Sequence, residues 1–82
     1  MNKWQVYILE CADGTLYTGV TTNLERRVEE HNGSNKGAKY TRVRRPVALR
    51  YSEEWATRSQ AQKREAEIKN LPREQKLVLL GI

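Results

Sequence analysis

The sequence has 82 residues, with 15 Lys and Arg against 10 Asp and Glu, and its formal net charge is +5. This length predicts one small domain over residues 1–82, and a single Cys with a single His excludes both a disulfide framework and a structural zinc site. No apolar run approaches the roughly 20 residues of a membrane span, and the N-terminus lacks the apolar stretch of a signal peptide. We therefore expect a cytoplasmic domain without a membrane partner.

Two segments rich in β-forming residues open the chain and predict a β-hairpin. These segments and the turn between them are Trp4–Cys11, Leu16–Thr21 and Ala12–Gly14. A two-residue turn would place Tyr7 and Tyr17 on opposite faces of the hairpin. A three-residue loop with Gly14 in the left-handed region would instead pair Tyr7 with Gly19. We favour the three-residue loop, because it gathers both tyrosines on one face and leaves room beside the Tyr7 ring.

Helix and strand signals then alternate along the rest of the chain. The predicted elements are a helix over about 23–32, a basic loop over 33–45, a strand at one edge of the sheet over 47–55, a helix to about residue 71 and a short helix over 72–80. Two N-caps are open for the first helix, Thr22 or Asn23. The longer helix can begin at Ser59 with Gln62 or at Thr57 with Gln60.

This order, β-β-α-β-α-α, predicts an α+β domain in which a three-stranded antiparallel sheet is flanked by helices.

The excess positive charge lies in one part of the chain. The stretch from Lys36 to Arg50 has six basic residues and no acidic residue. Such a run is either a solvated surface or a binding site for a polyanion, and nucleic acid is favoured over membrane because no amphipathic helix accompanies the run. The candidate nucleic-acid-binding residues are Lys36, Lys39, Arg42, Arg44 and Arg45.

Glu65 is out of place in the helical pattern. Helical spacing places it on one stripe with Ala61 and Ile68, where an apolar side chain is expected, whereas Glu67 is predicted to face solvent. A carboxylate at a buried edge is costly unless it is paired or binds a cation. Two interpretations follow: a structural ion pair with Arg27 or another cation, or a ligand for Mg²⁺ or Mn²⁺.

Three further residue types could take part in chemistry. Arg27 and His31 lie four residues apart on one side of the first helix, as a phosphate-binding pair or a common surface pair would. Tyr7 and Tyr17 are either core residues or proton acceptors, and the second role requires a nearby cation to lower the pKa of the phenol. Cys11 is predicted to be a small buried strand residue.

Taken together, these residues form an ordered set over nearly the whole chain. The set is Val6-Tyr7-Ile8, Tyr17-Thr18-Gly19, Asn23 to Arg27, His31, and Ala61 to Glu65 followed by Ile68-Lys69. In order and spacing it resembles the GIY-YIG nuclease family, and within that family the small stand-alone bacterial proteins.

The resemblance implies a function for each motif position. It places the motif tyrosines on Tyr7 and Tyr17, the catalytic arginine on Arg27, a position held by Tyr or His on His31, and the metal-binding glutamate on Glu65. The implied reaction is phosphodiester hydrolysis with one divalent metal, Mg²⁺ or Mn²⁺. Tyr17 or Tyr7, or His31 in its place, orients or deprotonates the attacking water, and the arginine neutralises the developing charge.

Two positions depart from the family pattern. Val20 stands where many relatives have Lys after the second motif, and no residue matches a late Asn: Gln75 and Lys76 occupy that region, and Asn70 is too close to Glu65. The leading hypothesis is a metal-dependent endonuclease acting on DNA in preference to RNA, with structure- or damage-directed action in DNA repair. The alternatives are a non-catalytic nucleic-acid-binding module and a structural or protein-interaction domain.

Overall fold

Three antiparallel strands form the centre of the structure, a computed structural model that describes residues 3–81. Its elements, in chain order, are β1 (Trp4–Glu10), β2 (Leu16–Thr21), α1 (Leu24–Gly33), α2 (Lys39–Arg42), β3 (Ala48–Trp55), α3 (Arg58–Lys69) and α4 (Arg73–Leu79). The predicted α+β class and element order are confirmed, with one addition, the short helix α2. Within the described residues, no helix is long and apolar enough to cross a bilayer.

The hairpin of β1 and β2 has the three-residue loop. The Cys11 backbone N–H donates to the Thr15 carbonyl oxygen at 2.8 Å, and Gly14 has a φ of +83°, in the left-handed region that suits glycine. Tyr7 therefore pairs with Gly19 and Leu9 with Tyr17. The preferred register is confirmed and the two-residue turn is wrong, so the two tyrosines lie on the same face.

The strand order is β2-β1-β3, so β1 is the central strand and β3 is an edge strand, as predicted. Alternate residues of β1 pack into two different hydrophobic clusters, because successive side chains of a strand point to opposite faces. One cluster is built from Val6, Ile8, Ala61 and Ile68, and the other from Tyr7, Leu9, Cys11 and Val47. Helices α3 and α4 cover the first face of the sheet, and α1 covers the second. Residues of both α1 and α3 lie near the edge strand β2.

Local capping sets the starts of the two longer helices. The Asn23 side chain accepts from the Arg26 backbone N–H at 3.1 Å, so Asn23, not Thr22, is the N-cap of α1. Thr57 caps α3 in a reciprocal capping box with Gln60, and the alternative start at Ser59 is wrong.

The predicted loop over 33–45 contains α2, which the sequence did not indicate. Thr41 is fully buried in it, and its hydroxyl donates to the Ala38 carbonyl oxygen at 2.9 Å. The same hydroxyl oxygen lies 2.8 Å from Nδ1 of His31 in α1. This four-residue helix is therefore held by a tertiary contact and has no amphipathic pattern of its own.

Candidate active site

A cleft of about 230 Å³ opens at the β2 edge, between the helix layers on the two faces of the sheet. Four of the five predicted catalytic residues line it: Tyr7, Tyr17, Arg27 and Glu65. They come from β1, β2, α1 and α3 in turn. His31 contributes no surface to the cleft, because its side chain is fully buried behind Tyr7.

Tyr7 and His31 are joined by a buried hydrogen bond of 2.9 Å between the Tyr7 hydroxyl and His31 Nε2. The other ring nitrogen, Nδ1, lies 2.8 Å from the Thr41 hydroxyl and 3.4 Å from the Ala38 backbone N–H. Because the Thr41 hydroxyl donates its single proton to the Ala38 carbonyl oxygen, its oxygen accepts from Nδ1. We assign this tautomer over the one that would use the long 3.4 Å contact, and it makes Nε2 the acceptor of the Tyr7 proton.

Burial sets the protonation states of this pair. It lowers the pKa of His31 to about 4, with a further decrease from the positive charge of Arg27. It also raises the pKa of Tyr7 to about 12, and the nearby Arg27 guanidinium opposes this increase. At neutral pH the pair is thus a neutral phenol donating to a neutral imidazole. Any contribution of His31 to chemistry in the cleft must pass through Tyr7, not through direct contact with water.

Gly19 makes room for the Tyr7 hydroxyl, as the sequence predicted. A Cβ atom at this position would overlap the hydroxyl and the ring carbon that bears it. The Tyr7 hydroxyl can therefore occupy this position only because residue 19 is a glycine.

A stack of three side chains fixes Tyr17. The ring of Tyr40, from α2, lies 6.0 Å from the Tyr17 ring at an interplanar angle of 26°. The Arg44 guanidinium lies over Tyr40, 3.9 Å from the ring centroid, and its Nε lies 3.0 Å from a carboxylate oxygen of Asp13. The loop after α1 thus supports the wall of the cleft.

Arg27 is held from two sides while it faces the cleft. One terminal nitrogen donates to the Glu30 carboxylate at 3.0 Å and to the Lys36 carbonyl oxygen at 2.7 Å. Its side chain is 25% exposed. These contacts orient the guanidinium and also attach the basic loop to the cleft wall.

Glu65 lies at the inner edge of α3, as its spacing predicted. Ala61 and Ile68 on the same stripe are fully buried, whereas the Glu65 side chain is 25% exposed. Its ion pair is with Lys69, at 3.6 Å, so of the partners that the sequence left open it pairs with another cation and not with Arg27. The Glu67 side chain is 56% exposed, as predicted.

The donor set fits a magnesium-like cation and not an all-protein metal site. Among residues 3–81, no three His, Cys, Asp or Glu side chains are grouped as metal ligands. Mg²⁺ needs few protein ligands, because it keeps several waters and is bound through one or two carboxylates and the phosphates of its substrate. Glu65 is suited to supply that single carboxylate from the cleft wall.

The predicted nucleic-acid-binding residues fall into two groups. Lys36, Lys39 and Arg42 are exposed. Arg44 and Arg45 are half-buried and are engaged in the fold: Arg44 supports Tyr40, and Arg45 donates to the carbonyl oxygens of Glu30, His31 and Ser34 at the end of α1. The exposed group is the part of the loop that is open to a partner.

Sequence reasoning missed three polar or aromatic residues of the cleft. Trp4, Arg58 and Gln62 line it beside Glu65 and Val20. A signal for two of them was present, because positions 58, 62 and 65 are spaced for one face of a helix. Trp4 lies at the start of β1, and only the arrangement of the strands in the folded sheet brings it to the cleft.

Comparisons with known proteins identify a matching family and similar structures. A family model described as the GIY-YIG catalytic domain matches residues 3–77. A UPF0213 protein of Desulfotalea psychrophila is 60% identical over 77 residues, which cover 94% of this chain and 70% of that protein. A UPF0213 protein of Halobacterium salinarum is 55% identical over 74 residues, which cover 90% of this chain and 95% of the relative.

Two solved structures match the fold along most of its length. The solution NMR structure of a UPF0213 protein from Bacillus halodurans has a TM-score of 0.61 and 46% identity, and the match covers 99% of this chain and 84% of that one. The solution NMR structure of a protein from E. faecalis has a TM-score of 0.64 and 49% identity, covering 93% and 80% of the two chains. The similarity therefore extends over both the sequence and the fold.

Proposed function

Because the chain belongs to the GIY-YIG nuclease family, we propose that it is a divalent-metal-dependent endonuclease that hydrolyses phosphodiester bonds in nucleic acid, DNA in preference to RNA. The observation that carries the proposal is the convergence of Tyr7, Tyr17, Arg27 and Glu65 on one cleft. A carboxylate that faces a polyanion is unfavourable unless a cation lies between them. A GIY-YIG nuclease with Mg²⁺ or Mn²⁺ at Glu65 accounts for that placement.

Each residue then has a defined part in the reaction. Glu65 would hold the metal, which would supply Lewis-acid stabilisation of the developing negative charge. Arg27 balances the charge that develops on the phosphate, from the opposite wall of the cleft. Tyr17, which its stack holds at the cleft surface, orients the attacking water, and Tyr7 assists as a neutral hydrogen-bonding group positioned by His31.

A non-catalytic nucleic-acid-binding module is the second candidate. Two observations favour it: Val20 replaces a cation expected on the cleft wall, and Glu65 already has an ion pair with Lys69 at 3.6 Å. The two candidates differ in one measurable respect, since a binder retains affinity for nucleic acid but leaves every substrate intact. For the endonuclease, we also propose that cleavage is directed by the structure of the nucleic acid or by damage in it, and that the enzyme acts in DNA repair.

The test incubates the purified protein with labelled duplex, single-stranded, flap and RNA substrates, with Mg²⁺, with Mn²⁺ and with a chelator. We expect cleavage only with metal. Glu65→Gln removes the metal carboxylate and Arg27→Gln removes the phosphate cation, so each should lower the rate about 100-fold or more.

Two neighbouring residues provide matched controls. Glu67→Gln changes the charge of the same helix at a side chain that is 56% exposed, and Arg26→Gln does the same on α1 at a side chain that is 68% exposed. Both should retain wild-type rates, and circular dichroism should show that all four variants are folded. Cleavage that persists in a chelator, or in both active-site variants, would contradict the proposed site.

A further inference from the structure

The cleft continues past the predicted catalytic residues onto the α3 side of the sheet. There, Trp4 from β1 and Arg58 and Gln62 from α3 line it together with Glu65. Because positions 58, 62 and 65 follow the i, i+4, i+7 spacing, α3 presents a guanidinium, an amide and a carboxylate in a row along one face. This row is a polar wall opposite Arg27, which belongs to α1.

Trp4 packs against the core on one side and lines the cleft on another. Its indole packs against the cluster of Val6, Ile8, Ala61 and Ile68, yet the residue remains only half-buried because it also borders the cleft. An aromatic ring held in this way loses little freedom when a flat partner stacks on it. It is therefore a ready surface for a nucleic-acid base.

Arg58 is the available cation on this wall. Its guanidinium carbon lies over the Trp4 ring, 5.6 Å from the centroid, and within residues 3–81 the side chain makes no ion pair. Arg27, by contrast, is already bound to Glu30 and to the Lys36 carbonyl oxygen. Val20, which stands where the family resemblance leads one to expect a lysine, borders the same part of the cleft, so Arg58 supplies the positive charge there.

We propose that Trp4, Arg58 and Gln62 form a subsite for an unpaired nucleotide next to the scissile phosphate. Trp4 stacks on the base, which takes the place of the Arg58 guanidinium over the ring. Arg58 then binds the neighbouring phosphate, and the Gln62 amide hydrogen-bonds to the base or sugar. The faces of a base in the middle of a duplex are covered by its neighbours, so only an unpaired base can stack on the indole. The inference rests on the proposed function and narrows its substrate to nucleic acid that is single-stranded on one side of the cut.

Intrinsic fluorescence tests the stacking, because the chain has two Trp residues. Both variants carry Glu65→Gln, which prevents cleavage. Adding Trp55→Phe leaves Trp4 as the only fluorescent tryptophan, and adding Trp4→Phe instead leaves Trp55. A short single-stranded oligothymidylate should quench the Trp4 reporter and leave the Trp55 reporter unchanged. A relaxed circular duplex, which has neither ends nor unpaired bases, should quench neither.

A second measurement tests the phosphate contact through an exposed residue of α3, whose replacement leaves the core intact. Arg58→Gln should weaken binding of the oligothymidylate and reduce the slope of log affinity against log salt by about 0.7, the value for one single-strand phosphate contact. Lys63→Gln is the matched control, since Lys63 lies on the same helix but lines a separate hollow beside Trp55. It should leave the slope unchanged.

The outcomes separate this inference from the proposed function. Binding of the oligothymidylate, seen by fluorescence anisotropy, without quenching of Trp4 would overturn the subsite alone. Equal salt slopes for Arg58→Gln and Lys63→Gln would do the same. If no nucleic acid bound or was cleaved under any condition, both the subsite and the proposed function would fall.

Discussion

His31 is a neutral imidazole enclosed by Tyr7 on one side and Thr41 on the other, with hydrogen bonds of 2.9 Å and 2.8 Å. Burial lowers its pKa from 6.5 to about 4. The unfolded chain therefore binds more protons than the folded chain at any pH between these two values. Stability should be complete above about pH 6.5 and decrease as the pH falls, by roughly 3 kcal/mol once the pH is below the folded pKa.

The measurement is the free energy of unfolding in urea at neutral pH and at about pH 5, a range above the pKa of ordinary carboxyl groups. His31→Gln retains hydrogen-bonding groups for Tyr7 and Thr41 but does not titrate. The wild type should lose about 2 kcal/mol more than this variant between the two conditions. An equal loss in both proteins would show that other groups cause the pH dependence.

At the level of secondary structure elements, the four residues of α2 affect the cleft more than their length indicates. Tyr40, from this helix, stacks on Tyr17, and the Arg44 guanidinium lies over the Tyr40 ring. Tyr40→Ala should lower stability by about 1 kcal/mol, the value of an aromatic pair. It should also lower the rate of single-turnover cleavage roughly tenfold, because Tyr17 loses its support.

Tyr40→Phe keeps the ring and should have nearly wild-type stability and rate. Val43→Ala is a second control in the same segment, at a residue that is 81% exposed. A wild-type cleavage rate in Tyr40→Ala would mean that Tyr17 needs no support from α2.

The elements that the sequence predicted correctly are those with strong local signals. Gly14 allows the three-residue loop, and the loop sets the register that pairs Tyr7 with Gly19. Thr57 and Gln60, one of the two capping pairs that the sequence left open for α3, satisfy each other's backbone N–H groups. In each case the determining residues lie close together in the sequence, so their geometry could be predicted without the fold.

The features that were missed depend on residues far apart in the chain. The Tyr7–His31 hydrogen bond joins residues 24 positions apart, and α2 forms because Thr41 reaches His31 in another helix. Arg45 has the positive charge expected of a nucleic-acid-binding residue, but its guanidinium donates to backbone carbonyl oxygens at the end of α1. Such partners are determined by the packing of α1, α2 and the loop, which hydrophobic periodicity does not specify.

For the whole molecule, the fold partly neutralises the basic stretch that the sequence revealed. Arg44 lies 3.0 Å from Asp13 and Arg50 lies 2.8 Å from Glu10, so acids from the hairpin reach a segment that has none of its own. Of the exposed cations that are left, Lys36 is joined to the cleft, because its carbonyl oxygen accepts from Arg27. The exposed part of the basic stretch is therefore smaller than the charge run, and one end of it contacts a residue of the cleft.

Replacing the three exposed cations together, in a Lys36→Gln, Lys39→Gln and Arg42→Gln variant, should weaken DNA binding. Each lost phosphate contact should reduce the slope of log affinity against log salt by about 0.9 for a duplex. A variant with the same charge change on the opposite face of the sheet, Lys63→Gln, Arg73→Gln and Lys76→Gln, is the control. Its salt slope should match the wild type, since these residues lie on α3 and α4. Equal slopes for the two triple variants would indicate that binding depends on net charge alone and not on the surface beside the cleft.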